Sequence, residues 1–122
     1  FITRVPRLGN PDIILIFGGI NDNWADTPIG EYKYGDFKRA DLYTYRPALA
    51  KLIELAQEHY PNVTLYFIIS DDLKTEIVES TKVVCEHYGI KYVQLQGIEK
   101  ESGHPTVKGM ETIANQVLTL IK

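Results

Sequence analysis

The sequence has little of what disulfides, metal clusters and membrane spans require. Cys85 is the single cysteine among 122 residues, which excludes an internal disulfide and a thiolate zinc cluster. A net charge of −3 gives no basic field for phosphate backbones, so nucleic acid is disfavoured as a partner. The longest apolar run, Ile13 to Phe17, has the length of a strand and not the roughly 18 residues of a membrane span.

What remains is an ordinary composition, with 44% hydrophobic and 24% charged residues, enough for one domain. Strand-like and helix-like segments alternate. Ile13 to Phe17, Val63 to Ile69 and Tyr92 to Leu95 are apolar or β-branched runs that predict strands. Apolar residues at helical spacing predict three helices. The first contains Leu49, Leu52, Ile53 and Ala56, and the second contains Ile77, Val78, Thr81, Val84, Cys85 and Tyr88. The third contains Met110, Ile113, Ala114, Val117, Leu118 and Ile121. This order predicts an α/β fold with a parallel sheet flanked by helices.

Local signals indicate where these elements begin and end. Pro47 suits the first position of a helix, Gly89 a helix C-cap and Thr106 a helix N-cap. The run from Ile13 to Phe17 does not alternate with polar residues, which predicts a strand buried on both faces. The carboxyl ends of parallel strands lie at one edge of the sheet, where such folds bind ligands.

One polar motif, Gly18-Gly19-Ile20-Asn21-Asp22, follows the first predicted strand. The glycines allow a sharp turn and leave room for a ligand. The Asn21 side chain is a neutral amide donor, as a developing oxyanion requires. The alternative is a turn in which the Asn and Asp side chains bond only to the local backbone.

A second motif, Glu101-Ser102-Gly103-His104-Pro105, precedes the final predicted helix. Pro105 restricts His104 to an extended conformation, and the nearby helix N-terminus favours a neutral imidazole that can act as a base. A carboxylate would orient the ring, with Glu101 the first candidate and Glu99 the second. The alternative is an ordinary surface histidine.

The two motifs together resemble those of the SGNH/GDSL-type hydrolases. Gly19-Ile20-Asn21-Asp22 resembles the family's G-x-N-D block, and Glu101-x-x-His104-Pro105 its D-x-x-H-P block. The resemblance implies a flavodoxin-like three-layer α/β/α fold, of which this chain holds the C-terminal three strands, so that residues 1–122 form the C-terminal part of a single hydrolase domain. It also implies a serine esterase without metal or cofactor. Asn21 would be the oxyanion donor, His104 the general base and Glu101 the orienting acid.

The chain departs from the family pattern in two ways. It contains no G-D-S block for the nucleophile, and it has glutamate where the acid is usually aspartate. Ser70-Asp71-Asp72 lacks the glycine-flanked elbow of a nucleophile, so we interpret that segment as helix capping. We therefore expect the serine to come from a missing N-terminal segment. That segment, or a second copy of the chain, would cover an otherwise exposed sheet edge.

A long aromatic stretch, Ile20 to about Leu42, follows the first motif. Loops of this length are often functional. Its rings could stack on a sugar or line an acyl pocket, or they could pack the loop onto the domain. We take Trp24, with Gly19, as the candidate substrate-binding residues because they lie nearest to Asn21. The expected substrate is a small ester, with acylated carbohydrates as one class.

Two other functions compete with ester hydrolysis. The missing serine favours a non-catalytic ligand-binding or assembly module on the same scaffold. A flavodoxin or phosphoacceptor domain would share the fold. A flavodoxin needs a Gly/Ser/Thr-rich phosphate loop, and a phosphoacceptor domain needs an acidic cluster at the first strand. The sequence contains neither feature.

Overall fold

The computed structural model describes residues 12–18, 27–102 and 104–121. Within these ranges the main sheet has three parallel strands in chain order: β1 (Ile13–Phe17), β2 (Thr64–Ile69) and β3 (Lys91–Gln94). The long helices of the described part are α1 (Tyr45–His59), α2 (Thr75–His87) and α3 (Val107–Ile121). None of these helices is long and apolar enough to cross a membrane. The parallel α/β fold predicted from the sequence is confirmed.

The strands divide their side chains between two apolar cores. Helices α1 and α2 cover one face, where Phe67 of β2 and Ile53 of α1 are almost fully buried. Helix α3 covers the other face, where Val117 packs with Ile68 of β2 and Leu95. The chain therefore forms three layers, as the sequence analysis predicted.

The prediction that β1 is buried on both faces is wrong for the described residues. Ile14 and Ile16 are buried under α1 and α2, but Ile13 and Leu15 on the opposite face are 45% and 46% exposed. The reason is the position of α3, which packs against β3. Among the described residues, the apolar cluster under α3 includes Phe17 on this face of β1 but neither Ile13 nor Leu15.

The helix ends confirm two of the three local signals. Gly89 follows α2 with φ +69°, and the next amide, of Ile90, donates to the Cys85 carbonyl at 2.9 Å. The Thr106 hydroxyl accepts from the Gly109 amide at 3.1 Å and caps α3. Helix α1 begins two residues before Pro47, because carbonyls of the preceding loop satisfy its first free N–H groups.

The loop before α1, residues 27–44, packs onto the helices. The Tyr34 ring stacks on His87 of α2 with 3.6 Å between ring centroids. The Arg46 guanidinium lies 4.0 Å from the centroid of the Tyr32 ring, a cation–π contact. Phe37 contacts the core beneath α1 and α2. These rings follow the packing alternative of the sequence analysis, because their faces are used within the domain.

Candidate active site at the carboxyl edge of the sheet

His104 lies in a small antiparallel hairpin that follows β3. The hairpin consists of β4 (Lys100–Glu101) and β5 (His104–Pro105), and Glu101 is paired directly with His104. Residues directly opposite in an antiparallel pair project their side chains from the same face. The three-residue spacing of the motif therefore agrees with the direct pairing of Glu101 and His104, and Ser102, which follows Glu101, has φ +51°.

Glu101 and His104 are both exposed residues. The extended conformation of His104 agrees with the restriction that Pro105 imposes. Within residues 12–18, 27–102 and 104–121, no hydrogen bond joins Glu101 to the His104 ring. Catalytic hydrogen bonds are often long before substrate binds, so the orienting role of Glu101 stays a prediction.

Backbone contacts hold the hairpin at the carboxyl edge of the sheet. After β3, the Leu95 amide donates to the carbonyl of Ile69, the last residue of β2, at 2.8 Å. On the α3 side, the Thr106 amide donates to the Glu99 carbonyl at 3.0 Å. His104 therefore belongs to the edge at which the sequence analysis placed the chemistry.

The α3 helix approaches the hairpin closely because Gly109 has no side chain. A Cβ atom there would lie 2.1 Å from the Glu99 carbonyl oxygen. Gln116 adds a second tie, because its amide group both accepts from and donates to the Gln96 backbone, at 3.0 and 2.8 Å. The sequence analysis missed both contacts, and no local pattern identifies them.

The segment Ser70-Asp71-Asp72 is an ion-pair site and not a helix cap, so that interpretation was wrong. Helix α2 begins after Lys74, with no side-chain cap. The Lys100 ammonium of β4 contacts Asp71 Oδ1, and it lies 3.0 Å from Asp72 Oδ2. The carboxylates turn toward this cation, which lies 29 positions beyond Asp71 in the sequence.

The charges of this site stabilise one another. A hydrogen bond from the Ser70 hydroxyl to Asp72 Oδ1, 2.6 Å long, and the contact with Lys100 lower the pKa of the Asp72 carboxyl, although burial opposes that shift. Burial alone would lower the pKa of Lys100, but the hydrogen bonds to Asp71 and Asp72 outweigh it and raise the pKa. Asp72 and Lys100 therefore both stay charged over the neutral range.

Two serines are unsuited to attack a substrate. Ser70 is 4% exposed and its hydroxyl donates to Asp72. Ser80 is fully buried in α2, and its hydroxyl accepts from Arg46 Nε at 2.9 Å. Ser102 is exposed, has φ +51° and lies two positions before His104 in the sequence.

Gly19, Asn21 and Trp24 lie outside the described residues, and their predicted roles stay predictions. Strand β1 ends at Phe17, in register with Ile68 of β2, so Gly18 leaves the sheet at its carboxyl edge. No group of three or more His, Cys, Asp or Glu residues that could hold a metal ion occurs in the described ranges.

Comparison with known proteins agrees with this architecture. A protein of Bacteroides ovatus assigned to the GDSL-like lipases is 48% identical, with a TM-score of 0.96 over 98% of this chain and 58% of that one. One from Bacteroides uniformis with the same assignment is 46% identical, with a TM-score of 0.95 over 97% of this chain and 55% of that one. The chain thus spans less than two thirds of the length of either protein.

More distant matches show the fold alone. A structure from Chitinophaga pinensis is 17% identical, with a TM-score of 0.61 over 77% of this chain and 46% of that one. No curated protein matches the sequence. The family model described as GDSL-like Lipase/Acylhydrolase matches residues 1–121. The chain belongs to the GDSL-like lipase/acylhydrolase family.

Proposed function

We propose that this chain is the His- and Asn-bearing part of a serine esterase that hydrolyses carboxylic esters through an acyl-enzyme intermediate. The observation that carries the proposal is the direct pairing of Glu101 with His104 at the carboxyl edge of the sheet. In a family of acylhydrolases, this pairing supplies a base and an acid that can orient it.

His104 acts first as a base and then as an acid. Its neutral imidazole removes the proton from a serine hydroxyl as the oxygen attacks the ester carbonyl. The imidazolium then returns that proton to the departing alcohol, and water repeats the cycle on the acyl-serine. Glu101, on the same face of the hairpin, stabilises the transient positive charge.

Asn21 serves as the oxyanion donor in this proposal. The carbonyl oxygen becomes negatively charged when the serine attacks, and a fixed amide donor stabilises that charge without transferring a proton. Gly19 leaves space for the acyl group, and the Trp24 ring binds the alcohol portion, which we propose to be a carbohydrate.

The nucleophile lies outside the 122 residues in this proposal. The chain has no G-D-S sequence, and the hydroxyls of Ser70 and Ser80 are buried and engaged with Asp72 and Arg46. The greater length of the two similar structures accommodates such a contribution.

The test is a pair of substitutions in the intact protein, assayed with p-nitrophenyl acetate. His104→Ala should lower kcat on the order of 10⁴-fold, because it removes the base. Asn21→Ala should lower kcat about 100- to 1,000-fold, because it removes one oxyanion donor. His59→Ala is the control, since His59 is an exposed histidine at the end of α1, and its rate should be unchanged. Near-unchanged rates in the first two variants would contradict the proposal.

A non-catalytic binding module is the second candidate, and the absence of a G-D-S sequence favours it. The same protein distinguishes the two functions. Titration calorimetry with an acetylated sugar that shows binding, together with an assay that shows no release of acetate, would support the binding module over the esterase.

A further inference from the structure

The ion-pair site at the end of β2 has no part in the mechanism above, yet it contacts the segment that carries His104. Both carboxylate oxygens of Asp71 contact that segment. Oδ2 accepts from the Ile98 amide at 3.0 Å, and Oδ1 contacts the Lys100 ammonium. One aspartate thus binds the hairpin strand and the turn that leads into it.

The site is partly removed from water, which strengthens its hold. The side chains of Lys100 and Asp71 are 20% and 18% exposed. Asp72 also contacts the ammonium and is itself held by Ser70. Removing one partner of such a pair leaves a poorly solvated charge, so the arrangement resists displacement.

The pairing within the hairpin connects the ion-pair site to His104. Lys100 is paired with Pro105, and the next pair is Glu101 with His104. On the opposite side, the hydrogen bond from Thr106 to the Glu99 carbonyl ties the same segment to α3. The hairpin has only two residue pairs, so its own ladder is too short to set its position. The outside contacts must do so.

We propose that Asp71 and Lys100 are positioning residues for His104, and that they act by fixing the hairpin against the end of β2. This inference rests on the esterase function proposed above. A shift of about 1 Å in a catalytic group can lower the rate by about 100-fold. The position of the hairpin therefore bears on kcat more than on substrate affinity.

The experiment measures kcat and KM for Asp71→Asn and Lys100→Met in the intact protein. Each should lower kcat about 10- to 100-fold with KM nearly unchanged, because the base is misplaced while the substrate still binds. Lys100→Arg should recover most of the lost kcat, since a guanidinium can bridge both carboxylates. Asp41→Asn is the control, because Asp41 also pairs with a lysine, Lys33 at 2.6 Å, but within the loop before α1.

A double substitution separates positioning from general stability. In a His104→Ala background, Asp71→Asn should cause no further loss of kcat, because the group that it positions is gone. An equal loss in both backgrounds, or an unchanged kcat in Asp71→Asn and Lys100→Met beside an inactive His104→Ala, overturns the inference and leaves the esterase proposal standing. Full activity of His104→Ala overturns both.

Discussion

Cys85 is one of the apolar residues at helical spacing in the second predicted helix, and that spacing predicts a position in the core. Its side chain is fully buried in the core between α2 and the sheet, which confirms that prediction. Burial raises the pKa of the thiol from 9.0 to about 12, because the thiolate would be poorly solvated there.

We predict that the Cys85 thiol is unreactive in the folded protein. Ellman's reagent at pH 8 should label it only after denaturant is added, because reaction requires the thiolate. The unfolded chain releases the thiol proton near pH 9 and the folded chain does not, so the free energy of unfolding should fall as the pH rises above about 9. Rapid labelling of the native protein would contradict this.

At the scale of elements, the hairpin and α3 depend on a close approach at Gly109. A methyl group there would meet the Glu99 carbonyl oxygen, which is backbone and cannot rotate away. Thr106 bonds to the same carbonyl. Its amide donates to the Glu99 carbonyl oxygen at 3.0 Å, and its hydroxyl donates to it at 3.4 Å. The start of α3 and the hairpin are thus one unit.

Gly109→Ala should lower both stability and activity. Alanine favours a helix over glycine by about 1 kcal/mol, but an overpacked contact costs about 1–3 kcal/mol, so the clash should dominate. Thermal unfolding and kcat of the intact protein measure the two effects. Asn115→Ala, at an exposed position of the same helix, is the control and should leave both unchanged or raise the melting temperature slightly. A melting temperature that rises equally in both variants would show that the hairpin moves away without cost.

Elements could be predicted from the sequence to the extent that their signals are local. Helical spacing, Gly89 and Thr106 act over a few positions. Each of the three predicted helices is present, and each predicted strand agrees with the structure within one residue at either end. The interpretation of Asp71 failed because its partner, Lys100, comes from another element. Side chains near a helix start can cap it or pair elsewhere, and only the fold decides between these.

The same limit applies to the exposure of α3. Met110 and Leu118 belong to its predicted apolar stripe, but they are 59% and 49% exposed in this chain. Periodicity shows that a face is apolar and does not show what packs against it. In the same way, the three-residue spacing of Glu101 and His104 agrees with their pairing in the hairpin but does not show what the two residues do, and their roles in catalysis remain proposals.

At the scale of the whole molecule, the described helices cover the two faces of the sheet unequally. Helices α1 and α2 cover one face, but Ile13 and Leu15 on the other face lie beyond α3. We propose that this face is covered in the intact protein, either by a segment beyond this stretch or by a second copy that adds to the β1 edge.

Leu15→Asp in the intact protein tests this cover. A charge placed beneath a packed segment should lower the free energy of unfolding by about 2 kcal/mol or more, because the carboxylate would lose its water. Val83→Asp on α2 is the matched control, since Val83 is 40% exposed against 46% for Leu15. It should change stability by less than about 1 kcal/mol. Equal effects in denaturant unfolding would mean that Leu15 faces solvent.

Because the strands are parallel, the turns that precede them and the His104 hairpin lie at opposite edges of the sheet. The turns that lead into β2 and β3, at residues 61–63 and 88–90, lie at the amino ends of those strands, while the His104 hairpin lies past the carboxyl ends. A strand of six residues separates the two by about 20 Å. A linker to a sensor chip or a fluorescent dye, attached at the exposed Asn62, would therefore leave the opposite end of the molecule facing the bulk solution.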